Sequence, residues 1–115
     1  MDMTISELAD KVTALHLVGR LDAPGAEAIN ARVGAAAAAP GRDIAIDLAG
    51  VSFIASMGIR LLIATARSLS QRQRQFVLYG ASELVQEVFD DAALGQIITI
   101  VATADQARAE IAATR

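Results

Sequence analysis

Short runs of apolar and β-branched residues alternate with longer segments of helical periodicity along this chain, and that alternation leaves few folds open. Ile5 to Leu8 reads as a weak strand and Val12 to Val18 as a better one, with Leu15 and Leu17 on one face. Pro24 opens a helix, where its missing N–H does no harm. That helix carries Ile29, Val33 and Ala36 or Ala37 at helical spacing, ends in the alanine run 35–39 and is stopped by Pro40-Gly41. Asp43 to Leu48 is a short apolar run of the kind that forms a buried central strand.

Gly50 to Ser56 reads as a loop. From Gly58 a strongly apolar helix follows, with Ile59, Leu62, Ile63, Ala66 and Leu69 as its expected core stripe. Leu61 and Thr65 are expected outside that stripe. Arg72 and Arg74 lie around its end, where positive charge suits the helix dipole. Phe76 to Tyr79 is the next buried strand. Ser82 is placed to cap a short helix with Leu84, Val85, Val88 and Phe89 inside. Ile97 to Val101 is a further strand, and Thr103 or Asp105 precedes a last helix with Ala107 and Ile111 inward.

The order β-β-α-β-α-β-α-β-α predicts an α/β fold with a largely parallel sheet and right-handed crossovers. The first two strands are separated by about three residues, so that pair is antiparallel and the sheet is mixed. A length of 115 residues without an internal linker or repeat suits a single domain spanning 1–115.

Several classes of function are disfavoured. The net charge is −3, from 10 basic and 13 acidic residues, with no basic face for nucleic acid. Three Phe, one Tyr and no Trp offer little for base stacking. There is no cysteine and one histidine, so neither a disulfide nor an ordinary zinc site can be built. No metal or cofactor is expected. His16, on the strand face opposite Leu15 and Leu17, is read as structural, and the pair Asp90-Asp91 as a solvated helix end. No Walker or Rossmann glycine loop occurs, so an enzyme is not expected. The start Met1-Asp2-Met3-Thr4 is not a signal peptide, and apolar stretches stop well short of about 20 residues, which points to a cytoplasmic protein without membrane insertion.

Residues 43–64 carry a more specific pattern. Asp47-Leu48 closes a buried strand, Val51, Phe53 and Ile54 follow, and Ser56-Met57-Gly58-Ile59 opens a helix with Leu62. This resembles the signature of the STAS family, of the anti-sigma factor antagonist type. Gly19-Arg20-Leu21-Asp22, Phe76 to Gly80, Leu94 to Ile100 and Asp105-Gln106-Ala107 match further family segments in the same order. The resemblance implies a STAS fold: a four- to five-stranded mixed sheet with helices packed mainly on one face. It also implies a partner-switching regulator that binds an anti-sigma factor with serine kinase activity. The kinase phosphorylates the serine of Ser-x-Gly, here Ser56, and so ends binding, and a serine phosphatase restores it. The alternative within the family is a STAS subunit of an ABC-type transport assembly, docked on its ATPase.

The residues support a switch at Ser56 on physical grounds. Ser56 is read as the N-cap, and free N–H groups with the positive helix end favour an added phosphate. Gly58 is expected to let another surface approach the backbone. Ala55, Met57, Gly58, Arg60 and Leu61 are the expected partner contacts around it. Asp22 is either a cap for the helix at Pro24 or a further partner contact. The chain departs from the family at two positions: Ala55 stands where well-known antagonists carry Asp, and Arg60 where a second glycine is common. Arg60 is either a solvated cation or a contact to a partner's acidic group or to phosphate on Ser56.

Overall fold

The computed structural model describes residues 1–114. Its strands are β1 (Asp2–Ala9), β2 (Val12–Leu21), β3 (Asp43–Ile54), β4 (Phe76–Tyr79) and β5 (Thr99–Val101). Its α-helices are α1 (Ala23–Ala38), α2 (Ser56–Gln71), α3 (Glu83–Asp91) and α4 (Ala104–Ala113), with a 3₁₀ turn at Leu94–Gln96 before β5. The sheet runs β1-β2-β3-β4-β5, antiparallel between β1 and β2 and parallel elsewhere. This is the mixed α/β sheet expected from the alternation.

The strand order explains the layering. From β2 onward each strand lies next to its predecessor and always on the same side. Right-handed crossovers therefore put α1, α2 and α3 on one face. There Leu15, Leu17, Ile44, Ile46, Leu48 and Leu78 meet Ile29, Val33, Leu62, Leu69, Val85 and Phe89 in the main core. Complete burial of one such leucine or phenylalanine contributes about 2 kcal/mol. α4 returns to the opposite face, where Ala107 and Ile111 pack on Val12, Ala45, Val77 and Tyr79.

Boundary details differ from the sequence reading where pairing extends an element. The segment 50–54, expected in a loop, belongs to β3 because Gly50, Val51, Phe53 and Ile54 pair with β2. At the late strand, Ile98 donates its N–H to Leu94 O in a turn, so β5 starts at Thr99 and Ile97 lies exposed. Leu84, expected inside, is 54% exposed, because α3 turns Val85 and Phe89 to the core.

The caps match the sequence chemistry. Asp22, Ser82 and Thr103 accept from the backbone N–H of Gly25, Val85 and Gln106 at the starts of α1, α3 and α4. α1 stops at Ala38 since Ala39 precedes Pro40 and takes the extended backbone that position imposes. Arg74 does not serve the α2 dipole. Its Nε lies 3.1 Å from Oδ1 of the fully buried Asp43, which also accepts the Gln75 N–H at 2.8 Å. That carboxylate ties the start of β3 to the turn before β4.

Candidate phosphoacceptor and docking site

The start of α2 is built by the ends of β2 and β3. Leu21 pairs with Ile54, and the Leu21 carbonyl accepts the Ala55 N–H at 3.1 Å. Ala55 is extended and its carbonyl accepts the Ile59 N–H, the first turn of the helix. Ala55, not Ser56, is thus the N-cap, and it offers no side-chain cap. Ser56 is the first helical residue, one position further than expected, because β3 stays paired through Ile54. Its hydroxyl remains at the positive, hydrogen-bond-poor end of the helix, and the side chain is exposed.

Gly58 has a different task from the one its position suggested. It is buried, and a β-carbon there would lie 2.4 Å from the Leu21 carbonyl oxygen and 2.7 Å from Leu21 Cγ. The surface that approaches its backbone is the domain's own β2. This contact also sets the rotation of α2. The buried line is Gly58, Leu61, Leu62, Thr65 and Leu69, while Ile59, Ile63 and Ala66 are only half-buried. Leu61 and Thr65 are therefore not the exposed positions expected of them. Thr65 tolerates burial because its hydroxyl donates to Leu61 O at 2.8 Å.

Met57 and Arg60 do face solvent, with Met57 44% exposed. Arg60 follows Ser56 by four residues, so the two share a helix face and the cation lies a turn beyond the serine. Its guanidinium reaches Met57 Sδ at 3.9 Å. Arg60 forms a ridge between two depressions. One, of about 460 Å³, lies between α1 and α2, with Ala26, Asn30, Met57 and Leu61 in its walls. The other, of about 600 Å³, lies between α2 and α3 and contains Ala55, Ser56, Ile59, Val88 and Asp91. Leu61 thus contributes to the floor of the first depression although it is mostly buried.

Asp22 accepts the Gly25 N–H at 2.9 Å and Arg20 Nε at 3.2 Å. The Gly25 hydrogen bond, helped by Arg20, holds its carboxyl below the usual aspartate range. The capping role anticipated for it is present. Arg20 was not anticipated. Its guanidinium stacks 4.2 Å over the Phe53 ring while bonding Asp22, so the ends of β2 and β3 carry an oriented cation. Only the pairing of Arg20 with Phe53 in the parallel ladder brings these groups together, and no local spacing announces it.

The STAS domain family model matches residues 4–107. The anti-sigma-B factor antagonist of Listeria monocytogenes is 30% identical over 86 residues, 75% of each chain. Among solved structures, an anti-sigma-factor antagonist (STAS) domain protein from Planctomyces limnophilus superposes with a TM-score of 0.87 at 26% identity. That match covers 97% of this chain and 99% of the other. The Bacillus cell fate determinant SpoIIAA, solved in its phosphorylated form, shares the fold with a TM-score of 0.71 at 22% identity, over 96% and 99% of the two chains.

Proposed function

The chain belongs to the STAS domain family, and on that premise we propose that it is an anti-sigma factor antagonist switched by phosphorylation of Ser56. The observation that carries this reading is the exposed Ser56 hydroxyl in the first turn of α2, beside exposed Met57 and Arg60 and between two depressions. In the dephosphorylated state this surface binds an anti-sigma factor that is also a serine kinase, in the cytoplasm. Met57, Arg60 and the accessible edge of Leu61 make the contacts, Ala55 leaves the loop uncharged, and Gly58 holds the helix start in place. Asp22 and its partner Arg20 flank the same end of the sheet.

Phosphorylation adds about −1.5 to −2 charges at a helix N-terminus, which tolerates them within the fold. The docked interface does not, because it must desolvate that charge. Arg60, on the same helix face, is the cation placed to receive the phosphate. A serine phosphatase reverses the switch.

The test is incubation of the chain with its anti-sigma kinase and ATP, read by intact mass and peptide mapping. One phosphate is expected, on Ser56, and it is lost in Ser56→Ala. Ser52, whose hydroxyl lies 3.3 Å from Gly19 O, is the nearby control. Phosphate on Ser52, or undiminished labelling of Ser56→Ala, overturns the assignment. Stable co-purification with an ATPase subunit regardless of Ser56 favours the transport-assembly alternative.

A further inference from the structure

On the sheet face opposite α1, α2 and α3, the three strands β1, β2 and β3 bring Ser6, His16 and Asp47 into one hydrogen-bonded chain. His16 Nδ1 lies 2.7 Å from Asp47 Oδ2, and His16 Nε2 lies 2.7 Å from Ser6 Oγ. His16 stands directly opposite Asp47 in the parallel ladder, and Ser6 is its diagonal neighbour across the antiparallel one. An ionised carboxylate can only accept, so when the imidazole is neutral Nδ1 holds its proton and Nε2 is left to accept a hydrogen bond from the Ser6 hydroxyl.

The relay is held from behind and open in front. Asp47 Oδ1 accepts the Ala49 N–H at 2.9 Å, which fixes the carboxylate, and its side chain is only 23% exposed. Tyr79 sits opposite Asp47 in β4; burial first, and then the Asp47 charge, raise its hydroxyl above the ordinary tyrosine range and keep it neutral. α4 packs on Val12, Ala45, Val77 and Tyr79, and β1 lies to the side of that contact. Thr4 and Ser6 are exposed there. A serine bonded to a neutral imidazole, itself oriented by a carboxylate, is the arrangement that activates a hydroxyl nucleophile.

We propose that Ser6 is an activated nucleophile that accepts acyl groups from small activated esters, with His16 as general base and Asp47 as the residue that positions it. Ser6 Oγ attacks the ester carbonyl carbon, and its proton passes to His16 Nε2. As the new Oγ–C bond is completed the ester C–O bond breaks. The departing phenolate or alkoxide takes the proton from His16, leaving acyl-Ser6 and a neutral imidazole. The open face selects for activated leaving groups rather than for a shaped substrate. The site is remote from Ser56 and independent of the switch.

The experiment is reaction of the full chain with p-nitrophenyl acetate, following p-nitrophenolate release, intact mass and the acetylated peptide. One acetyl group on Ser6 is expected, absent in Ser6→Ala and unchanged in Ser52→Ala. His16→Gln is expected to slow acetylation at least about a hundredfold, as loss of a general base does. Asp47→Asn, which leaves the imidazole in place but no longer fixes its tautomer, is also expected to slow it. Thermal melts confirm that each variant is folded, and mapping on the unaltered chain decides whether Ser6 is the acceptor even if a variant is not. Acetylation confined to Lys11 or the N-terminal amine overturns the proposal. So does an acetyl-Ser6 rate unaffected by a folded His16→Gln variant.

Discussion

Gly58 presses its bare α-carbon against the carbonyl of Leu21, so the first turn of α2 is docked on the end of β2 by the absence of a side chain. The same carbonyl accepts the Ala55 N–H, which makes Leu21 the anchor for the whole Ser56 turn. Gly58→Ala would force a β-carbon to 2.4 Å from that oxygen. Backbone cannot yield as a flexible side-chain tip does. The expected loss is about 2–3 kcal/mol, read by urea unfolding, together with weaker partner binding because Ser56 is displaced. Wild-type stability in this variant would show that the contact relaxes freely.

Ser56→Asp is expected to weaken binding of the anti-sigma partner by about 2 kcal/mol, roughly thirtyfold. Ser56→Ala should retain most of the affinity. Both should melt close to the parent, since an acid in the first turn of a helix is favourable. Aspartate carries less charge than phosphate, so the phosphorylated chain should bind more weakly still. Calorimetric titration against the partner makes the measurement, and equal affinities for all three forms would remove the switch.

Arg60→Ala separates docking from phosphate reception. If Arg60 contacts the partner, affinity of the dephosphorylated form falls, with a weaker salt dependence than the parent shows. If it serves only the phosphate, that affinity is unchanged and the phosphorylated form alone is altered. Titrations at two salt concentrations distinguish these outcomes; the first is expected, and an unchanged affinity of the dephosphorylated form would remove Arg60 from the docking surface.

Asp43→Ala should cost about 2 kcal/mol, because it strips the Gln75 N–H and the Arg74 guanidinium of a shared acceptor at a fully buried position. Chemical denaturation reads this. Ser56 phosphorylation should persist in the folded variant, since Asp43 lies at the other end of β3.

Asp22 supplies a pH dependence of known sign. Its folded-state carboxyl titrates below the ordinary value, chiefly through the Gly25 N–H. Its contribution is therefore fully present above the unfolded aspartate range, near pH 4, and is lost as pH falls through the lower folded value. Asp22→Asn keeps a cap but removes the titration. The difference in melting temperature between parent and variant should shrink on acidification below about pH 4. A difference that stays constant with pH would assign the stabilisation to the cap geometry alone.

Much of this architecture was written locally. Strand and helix order follow from periodicity, and the helix starts at Asp22, Ser82 and Thr103 follow from residues whose short polar side chains cap exposed N–H groups. The Ser-x-Gly turn, with Ser56 exposed, was equally legible, because its chemistry lies within a few consecutive residues. Packing decided the rest. Which side of α2 is buried depends on Gly58 meeting Leu21, so Leu61 and Thr65 turn inward against expectation, and Leu84 turns outward because Val85 and Phe89 claim the core. Arg74 finds Asp43, Arg20 finds Phe53, and Ser6, His16 and Asp47 form a relay only once strand register sets their side chains on one face. Local pattern records what each residue prefers over a turn or a strand, whereas contacts between distant residues exist only after the sheet has fixed which strands are neighbours and in what register.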